Sequence, residues 1–358
     1  MLRRSTIAGA LVSSVALCIE LAAQEAPARD TRAPQSEEIT PELRLAVARG
    51  LEHLARSQLR SGDFDADCPV AANALAGIAF LAGGHSEKAG GVYTEAIRKG
   101  TSALLRRQSS QGFFDDGKSA MYGHGFATLY LAELYGTSDF RHTEIREALT
   151  KALRVIEGSQ SRSGGWDYFP TREFGSFDGP SGASDTSITV GQTMALRAGR
   201  NLGIQISSRV VANAKAYIER AQNSDGGFRY RQQSDGTNFI FDASAFPRSA
   251  AGTCILYSLG DYNSAKVKLG FEYLYKSYKM PWSNQFPYYA HYYCAQAMFQ
   301  AGGRYWKDYF PWIRKELLSD QRRDGSWSKS IRENPTQCNA MALIVLQLPF
   351  RFLPIGER

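Results

Sequence analysis

Six aspartates fall just ahead of apolar segments in this sequence: Asp65 and Asp67 in Asp65-Ala66-Asp67-Cys68, the adjacent Asp115 and Asp116, Asp185 ahead of Thr186, and Asp242 in Asp242-Ala243-Ser244. A carboxyl group at the mouth of a cavity serves as a general acid when burial raises its pKa, and two facing carboxyls hydrolyse glycosidic bonds. Asp67 and Asp185 are the candidate acids, and His124, flanked by Gly123 and Gly125, is the candidate base. Asp65, Tyr122, Asp242, Tyr288 and His291 are the candidates for contact with a bound molecule. Each has a structural alternative. Asp67 and Asp185 stand where they would cap the helices that follow, a histidine at a helix end satisfies backbone groups, and tyrosines pack in cores.

What would position these residues is a repeat. Gln58-Leu59-Arg60-Ser61-Gly62-Asp63-Phe64 recurs in type at Gln108–Phe114, Gln160–Trp166, Gln222–Phe228 and Gln321–Trp327. The glutamines lie roughly 50 to 60 residues apart, except for one gap about twice as long that holds a degenerate copy, so the chain reads as about six repeats. Before each glutamine runs a one-sided apolar stripe, such as Leu43, Val47, Leu51 and Leu54 after a Thr40-Pro41 helix start. After it comes a segment apolar nearly all round, such as Cys68 to Gly84 or Met121 to Gly136. Alternating amphipathic and fully buried helices predict an all-α, α/α toroid: inner helices form a barrel wall and outer helices cover it. In this frame the glutamine bonds backbone groups where the next helix starts, the glycine reverses the chain and the aromatic packs in, which makes Gln58, Gln108, Gln160, Trp166, Gln222, Gln321 and Trp327 structural residues.

Composition agrees with one large domain over residues 40–358, with 43% hydrophobic residues in a chain of 358. The formal charge of +7 is scattered over outer helices and forms no block, which argues against nucleic acid as a partner and leaves a contact with an anionic envelope or membrane surface open. Arg3 and Arg4, the apolar run Ile7 to Ile19 and the small residues near Ala23 have the pattern of a signal peptide over residues 1–23; its removal lowers the charge to +6. The apolar run is too short to span a bilayer, so the expected mature chain is exported, periplasmic or extracellular, without a transmembrane helix. Residues 24–39 read as a disordered linker.

The glutamine-glycine-aromatic repeats, each followed by an Ala/Leu-rich helix, resemble those of squalene-hopene cyclases and protein prenyltransferase β subunits. Met121–Gly136 and Tyr288–Trp306 are similar to exported bacterial proteins with prenyltransferase and squalene oxidase repeats. The resemblance implies the toroid fold and a small-molecule ligand in its centre. A cyclase of this kind protonates an alkene from an Asp-x-Asp-Asp sequence; here Asp65-Ala66-Asp67-Cys68 ends in Cys and lies in the first repeat. A prenyltransferase binds zinc through an Asp-x-Cys pair and a later His. Here Asp242-Ala243-Ser244 lacks the thiolate and His291 stands near the place of the His, so no metal or other cofactor is expected and zinc is the minor alternative. Because this architecture also carries carbohydrate-active enzymes, an apolar isoprenoid-type ligand, a carbohydrate, and a non-catalytic envelope role all stay open, as does catalysis itself. A barrel plugged by side chains would favour the last. Ring closure would bring Cys68 and Cys338 together as a disulfide, and the loops 172–184 and 231–248 are placed on one rim.

Overall fold

The computed structural model describes residues 35–353, apart from 89, 138–140, 172, 174–183, 233–238, 241–242, 283–285 and 328. The segment 1–23, the linker up to residue 34 and Asp242 lie outside the described residues. The described end of the linker holds one helical turn, α1 (Gln35–Glu38). It is ordered because Arg314 donates to the Glu37 and Glu38 carbonyls and Trp306 Nε1 donates to the Glu38 carboxylate at 2.7 Å.

Six helical pairs follow. The outer helices are α2 (Pro41–Arg56), α4 (Thr94–Leu105), α6 (His142–Gly158), α8 (Ser208–Ala221), α10 (Ala265–Ser277) and α12 (Gly303–Asp320). The inner helices are α3 (Pro69–Ala82), α5 (Ala120–Thr137), α7 (Thr186–Asn201), α9 (Phe246–Ser258), α11 (Pro287–Ala301) and α13 (Pro335–Gln347). Each outer helix buries one stripe, as α2 does with Leu43, Val47, Leu51 and Leu54, whereas α3 is buried along its whole length. Contacts run α3 to α5, α7, α9, α11, α13 and back to α3, so the inner ring is closed, and the last outer helix, α12, packs on the first, α2. This is the α/α toroid that the repeat predicts.

The turn residues stitch neighbouring pairs. Each of Gln58, Gln108, Gln160, Gln222 and Gln321 donates through Nε2 to the carbonyl of the glycine four residues on and to a carbonyl of the next outer helix, over 2.7 to 3.2 Å. Gln321 reaches Ala46 on α2 and so closes the ring. The glycines Gly62, Gly112, Gly164, Gly226 and Gly325 have φ of +90° or more, and a side chain there would strike the backbone of the next outer helix. Only glycine meets both demands.

Cys68 and Cys338, expected to staple the ring, are free thiols. The junction is held by hydrogen bonds in their place: Asn334 Nδ2 to Asp65 Oδ2 at 2.9 Å, Thr336 Oγ1 to the Phe64 carbonyl, and Gln347 Nε2 to the Ala79 carbonyl. Three short strands that periodicity did not predict sit on the rim: β1 (Ser184–Asp185), β2 (Arg231–Gln232) and β3 (Phe239–Ile240), antiparallel in that order. They tie the described ends of the two long loops together, with Asp185 opposite Arg231. Two-residue strands lie below what a sequence pattern resolves. Among the described residues no helix is long and apolar enough to cross a membrane.

Candidate functional site

The six inner helices start at the same end of the barrel, and the acidic loop residues gather there. Most serve as caps. Asp65 Oδ1 accepts from the amides of Asp67 and Cys68 at 2.8 Å, and its Oδ2 holds Asn334. Asp116 accepts from Lys118 N, Ser119 N, Ser119 Oγ and, across to the neighbouring pair, Val70 N on α3; Asp115 accepts from Gly117 N. Asp67 does not cap α3, whose N-cap is Cys68. Its side chain is 77% exposed and pairs with Lys118 at 2.8 Å, which holds its carboxyl below the usual range. An ionised, solvated carboxylate has no proton to give, so Asp67 is excluded as the acid.

The histidines belong to the scaffold. In five pairs an inner-helix side chain accepts the backbone N–H of the turn aromatic: Asn73 from Phe64, His124 from Phe114, Thr189 from Trp166, Ser249 from Phe228 and Asn339 from Trp327. His124 Nδ1 takes that bond at 3.2 Å, so Nε2 carries the proton and donates to the Ala152 carbonyl at 3.1 Å. Burial pushes its pKa down to about 4, against the pull of that carbonyl. A neutral imidazole with both nitrogens engaged is no general base. His291 holds the same place on α11, where the degenerate repeat offers no turn; its Nδ1 faces the Tyr309 hydroxyl at 3.1 Å, and burial lowers its pKa to about 3. Ser244 bonds Asp225 and Asn223. Among the described residues no three His, Cys, Asp or Glu side chains gather as a metal site.

Asp185 differs from the other rim acids. It ends β1 and caps α7: Oδ1 accepts from Ser187 N at 2.8 Å, from Ser187 Oγ and from Ile188 N. Its own amide donates to the Trp166 carbonyl, and the next residue donates to Tyr230 O and Arg229 O, so three segments fix its place. The side chain is 0% exposed, and among the described residues Oδ2 has no hydrogen-bond partner. Burial raises its pKa, opposed by the Ser187 hydroxyl, the neighbouring Tyr230 phenol and the α7 amides. An ionised Asp185 would raise the pKa of Tyr168, Tyr230 and Tyr289, which places all three phenols within electrostatic reach of it.

Beside it stands a wall of aromatic rings. Tyr122 on α5 meets Tyr289 on α11 at 6.4 Å between centroids, and Phe126 meets Tyr292 at 5.9 Å. Tyr289 packs on Tyr293, and the buried hydroxyl of Tyr289 has no hydrogen-bond partner among the described residues. Burial holds the phenols of Tyr122 and Tyr289 far above their ordinary pKa, so both are neutral. Of the adjacent pair Tyr288 and Tyr289, it is Tyr289 that joins this wall. One residue is about 100° of helix rotation, which sends Tyr288 to the outer side, where its ring meets Trp282 and its hydroxyl accepts from Lys329 N.

Glu333 went unnoticed in the sequence. It accepts from the amides of Tyr288 and Tyr289 at the start of α11, and burial raises its pKa against those bonds. Its signal was the run Glu333-Asn334-Pro335 ahead of an inner helix, where a carboxylate can serve the neighbouring helix as well as its own.

No protein-family model matches the chain, and no curated protein matches it by sequence. Solved structures do. A variant of the type II terpene cyclase MstE from Scytonema, in complex with geranylgeranyl dihydroxybenzoate, superposes with a TM-score of 0.58 at 14% identity, over 87% of this chain and 98% of that one. An inactive variant of the α-1,6-mannanase GH76A of Salegentibacter, in complex with α-1,6-mannotriose, superposes with a TM-score of 0.65 at 8% identity, over 85% and 98%. An α-amylase from Clostridium perfringens gives 0.60 at 11% identity, over 88% and 99%. At such identities the likeness speaks for architecture alone: this chain has the α/α toroid fold, in common with a terpene cyclase and with glycoside hydrolases.

Proposed function

We propose that the protein binds a neutral, apolar, isoprenoid-type molecule in its barrel and that Asp185, as an un-ionised carboxylic acid, is the proton donor toward a double bond of that molecule. The observation that carries this reading is the buried carboxyl of Asp185 beside aromatic rings, with Oδ1 fully engaged and Oδ2 without a hydrogen-bond partner among the described residues. A carboxyl whose second oxygen is anchored by donors gives up its proton from the free one, and tyrosine faces stabilise the cation that protonation creates. The step balances: the Asp185 O–H bond breaks as its proton forms a C–H bond on one alkene carbon, a second double bond closes a ring onto the resulting cation, and the final cation loses a proton to solvent while the Asp185 carboxylate takes one back, so no net proton is consumed. Export to the cell envelope is part of the proposal and rests on the N-terminal sequence pattern alone.

The test is incubation of the mature protein with a linear polyprene in heavy water. Deuterium should enter the product with the native protein and not with Asp185→Asn. A native protein that neither incorporates deuterium nor carries an extractable apolar molecule would remove the reading.

A carbohydrate reading has one observation behind it, the slightly closer superposition on the mannanase. It needs two carboxylates facing across the site, whereas Asp115 and Asp116 are spent on turn amides and Asp65 on ring closure. Retention of mannan or starch oligosaccharides by the native protein, lost in Asp185→Asn, would favour it.

A further inference from the structure

Glycine in the interior of a helix is destabilising relative to alanine, so a helical glycine calls for a reason. In this protein the reason is packing nearly everywhere. A Cβ at Gly50, Gly77, Gly100, Gly123, Gly125, Gly199, Gly252 or Gly270 would come within 3 Å of a neighbouring side chain: the Trp327 ring for Gly50, Tyr130 for Gly77, Phe64 for Gly100. Gly191 is the exception inside an inner helix. It lies in the sixth position of α7, half-buried between the fully buried Val190 and Gln192, its φ is not positive, and a Cβ there would meet nothing within 4 Å among the described residues. Gly136 is also unopposed, but it is exposed near the end of α5.

Register places Gly191 on the barrel face of α7: Thr189 and His124 make the same bond to the turn aromatic of their repeats, so Gly191, two residues on, matches Phe126, whose ring meets Tyr292 across the barrel. Gly191 is one turn below Ser187, whose hydroxyl holds Asp185, and it lies beside Gly125 of α5, where an added Cβ would come within 3.3 Å of the Gly191 carbonyl carbon. From Asp185 to Gly191 the helix descends about 9 Å. Two polar groups more than nine-tenths buried lie near its upper end without a partner among the described residues, Asp185 Oδ2 and the Tyr289 hydroxyl.

We infer that Gly191 is the specificity-determining residue of the barrel: its missing side chain keeps open the slot below Asp185 that receives the apolar part of the ligand. The inference deepens the reading of Asp185 as proton donor and rests on it for the ligand's chemistry. Asp185 and Tyr289 supply that chemistry. A neutral acid and a neutral phenol at the head offer hydrogen bonds without charge, and below them the slot runs past a glycine and aromatic rings. The fitting ligand is therefore uncharged, slender and apolar, with an alkene or a single acceptor oxygen at the end nearer the rim.

The experiment uses the mature chain and the neutral dye N-phenyl-1-naphthylamine, whose fluorescence rises in apolar surroundings. The native protein should bind it saturably, one per chain. Gly191→Ala should keep binding within about threefold and raise Tm by a degree or more, because a methyl group fits and helix propensity improves. Gly191→Leu should keep the helical circular dichroism and Tm of the native protein while weakening dye binding by about tenfold or more, since the side chain fills the slot. The inference is overturned if Gly191→Leu binds the dye as the native protein does, if the native protein shows no saturable binding, or if Gly191→Ala lowers Tm. The proton-donor reading is followed separately through the infrared carbonyl band of a neutral carboxyl group, present in the native protein and missing from Asp185→Asn. Dye blocked by leucine without that band leaves Gly191 in its role and removes the acid; the band with no effect of leucine does the reverse.

Discussion

Tyr122 and Tyr289 touch across the barrel, with ring centroids 6.4 Å apart, although α5 and α11 stand opposite each other in the ring of six inner helices. Together with Phe126 and Tyr292 they form a partition through the interior. The barrel is thus neither an open pore nor a solid plug. Space survives on the α7 side of the partition, at Gly191.

Tyr289→Phe separates packing from polarity at this contact. It keeps the ring and deletes a buried hydroxyl without a partner. Because such a group costs stability where it is buried, the variant should be as stable as the native protein or more so, by up to about 1 kcal/mol. A denaturant titration measures this, and a loss above that size would show that the hydroxyl is engaged in the folded chain.

Asp185 makes stability depend on pH in a stated direction. Its folded pKa is raised, so the fold binds this proton more tightly than the unfolded chain does. Its contribution is complete below the ordinary aspartate pKa and is lost as pH rises through the raised value. The same sign holds for Glu333. Asp185→Asn keeps the capping oxygen and removes the titration, so the Tm difference between variant and native protein should grow as pH rises from 4 through the raised value. Parallel Tm curves for the two proteins would contradict the assignment.

His124 acts in the opposite sense. Its folded pKa of about 4 lies below the ordinary value of 6.5, so its contribution is full above 6.5 and disappears as pH falls toward 4. His124→Phe leaves the Phe114 amide without an acceptor and should cost about 1 to 3 kcal/mol at neutral pH. His124→Asn supplies the acceptor that Asn73 and Asn339 use in their own repeats and should lose less. Equal losses, read from chemical denaturation, would mean that the bond to Phe114 is not what His124 provides.

The cysteines predict a labelling order. Cys254, Cys294 and Cys338 are fully buried, and burial pushes the Cys254 thiol up to about 12 and the other two up as well. Cys68 alone of the described cysteines is half-buried. Iodoacetamide on the native protein should therefore modify Cys68 first, and all four after denaturation. Peptide mapping without reductant that finds Cys68 joined to Cys338 would replace the hydrogen-bonded ring closure by a covalent one.

Much of this architecture is written in local sequence. A glutamine, a glycine four places on and an aromatic two further recur because each repeat must solve the same local problem, reversing the chain and bonding to the next outer helix, and a local problem leaves a local signature. The contrast between α2, buried on one stripe, and α3, buried throughout, follows from apolar periodicity in the same way. Inner-helix capping at Asp185 was legible for the same reason. What the sequence could not carry was direction and partnership. Asp67 and Asp185 both precede an inner helix, yet one is solvated against Lys118 and the other enclosed by the Trp166 turn and by Tyr230 with β2, which arrive from two other parts of the chain. His124 looked like chemistry until the turn of its own repeat bonded to it, and Gly191 looked like any other glycine until the rest had been matched to rings at close range. Burial, free valence and empty space depend on segments far apart in the chain, and those were decided only when six pairs of helices closed into a ring.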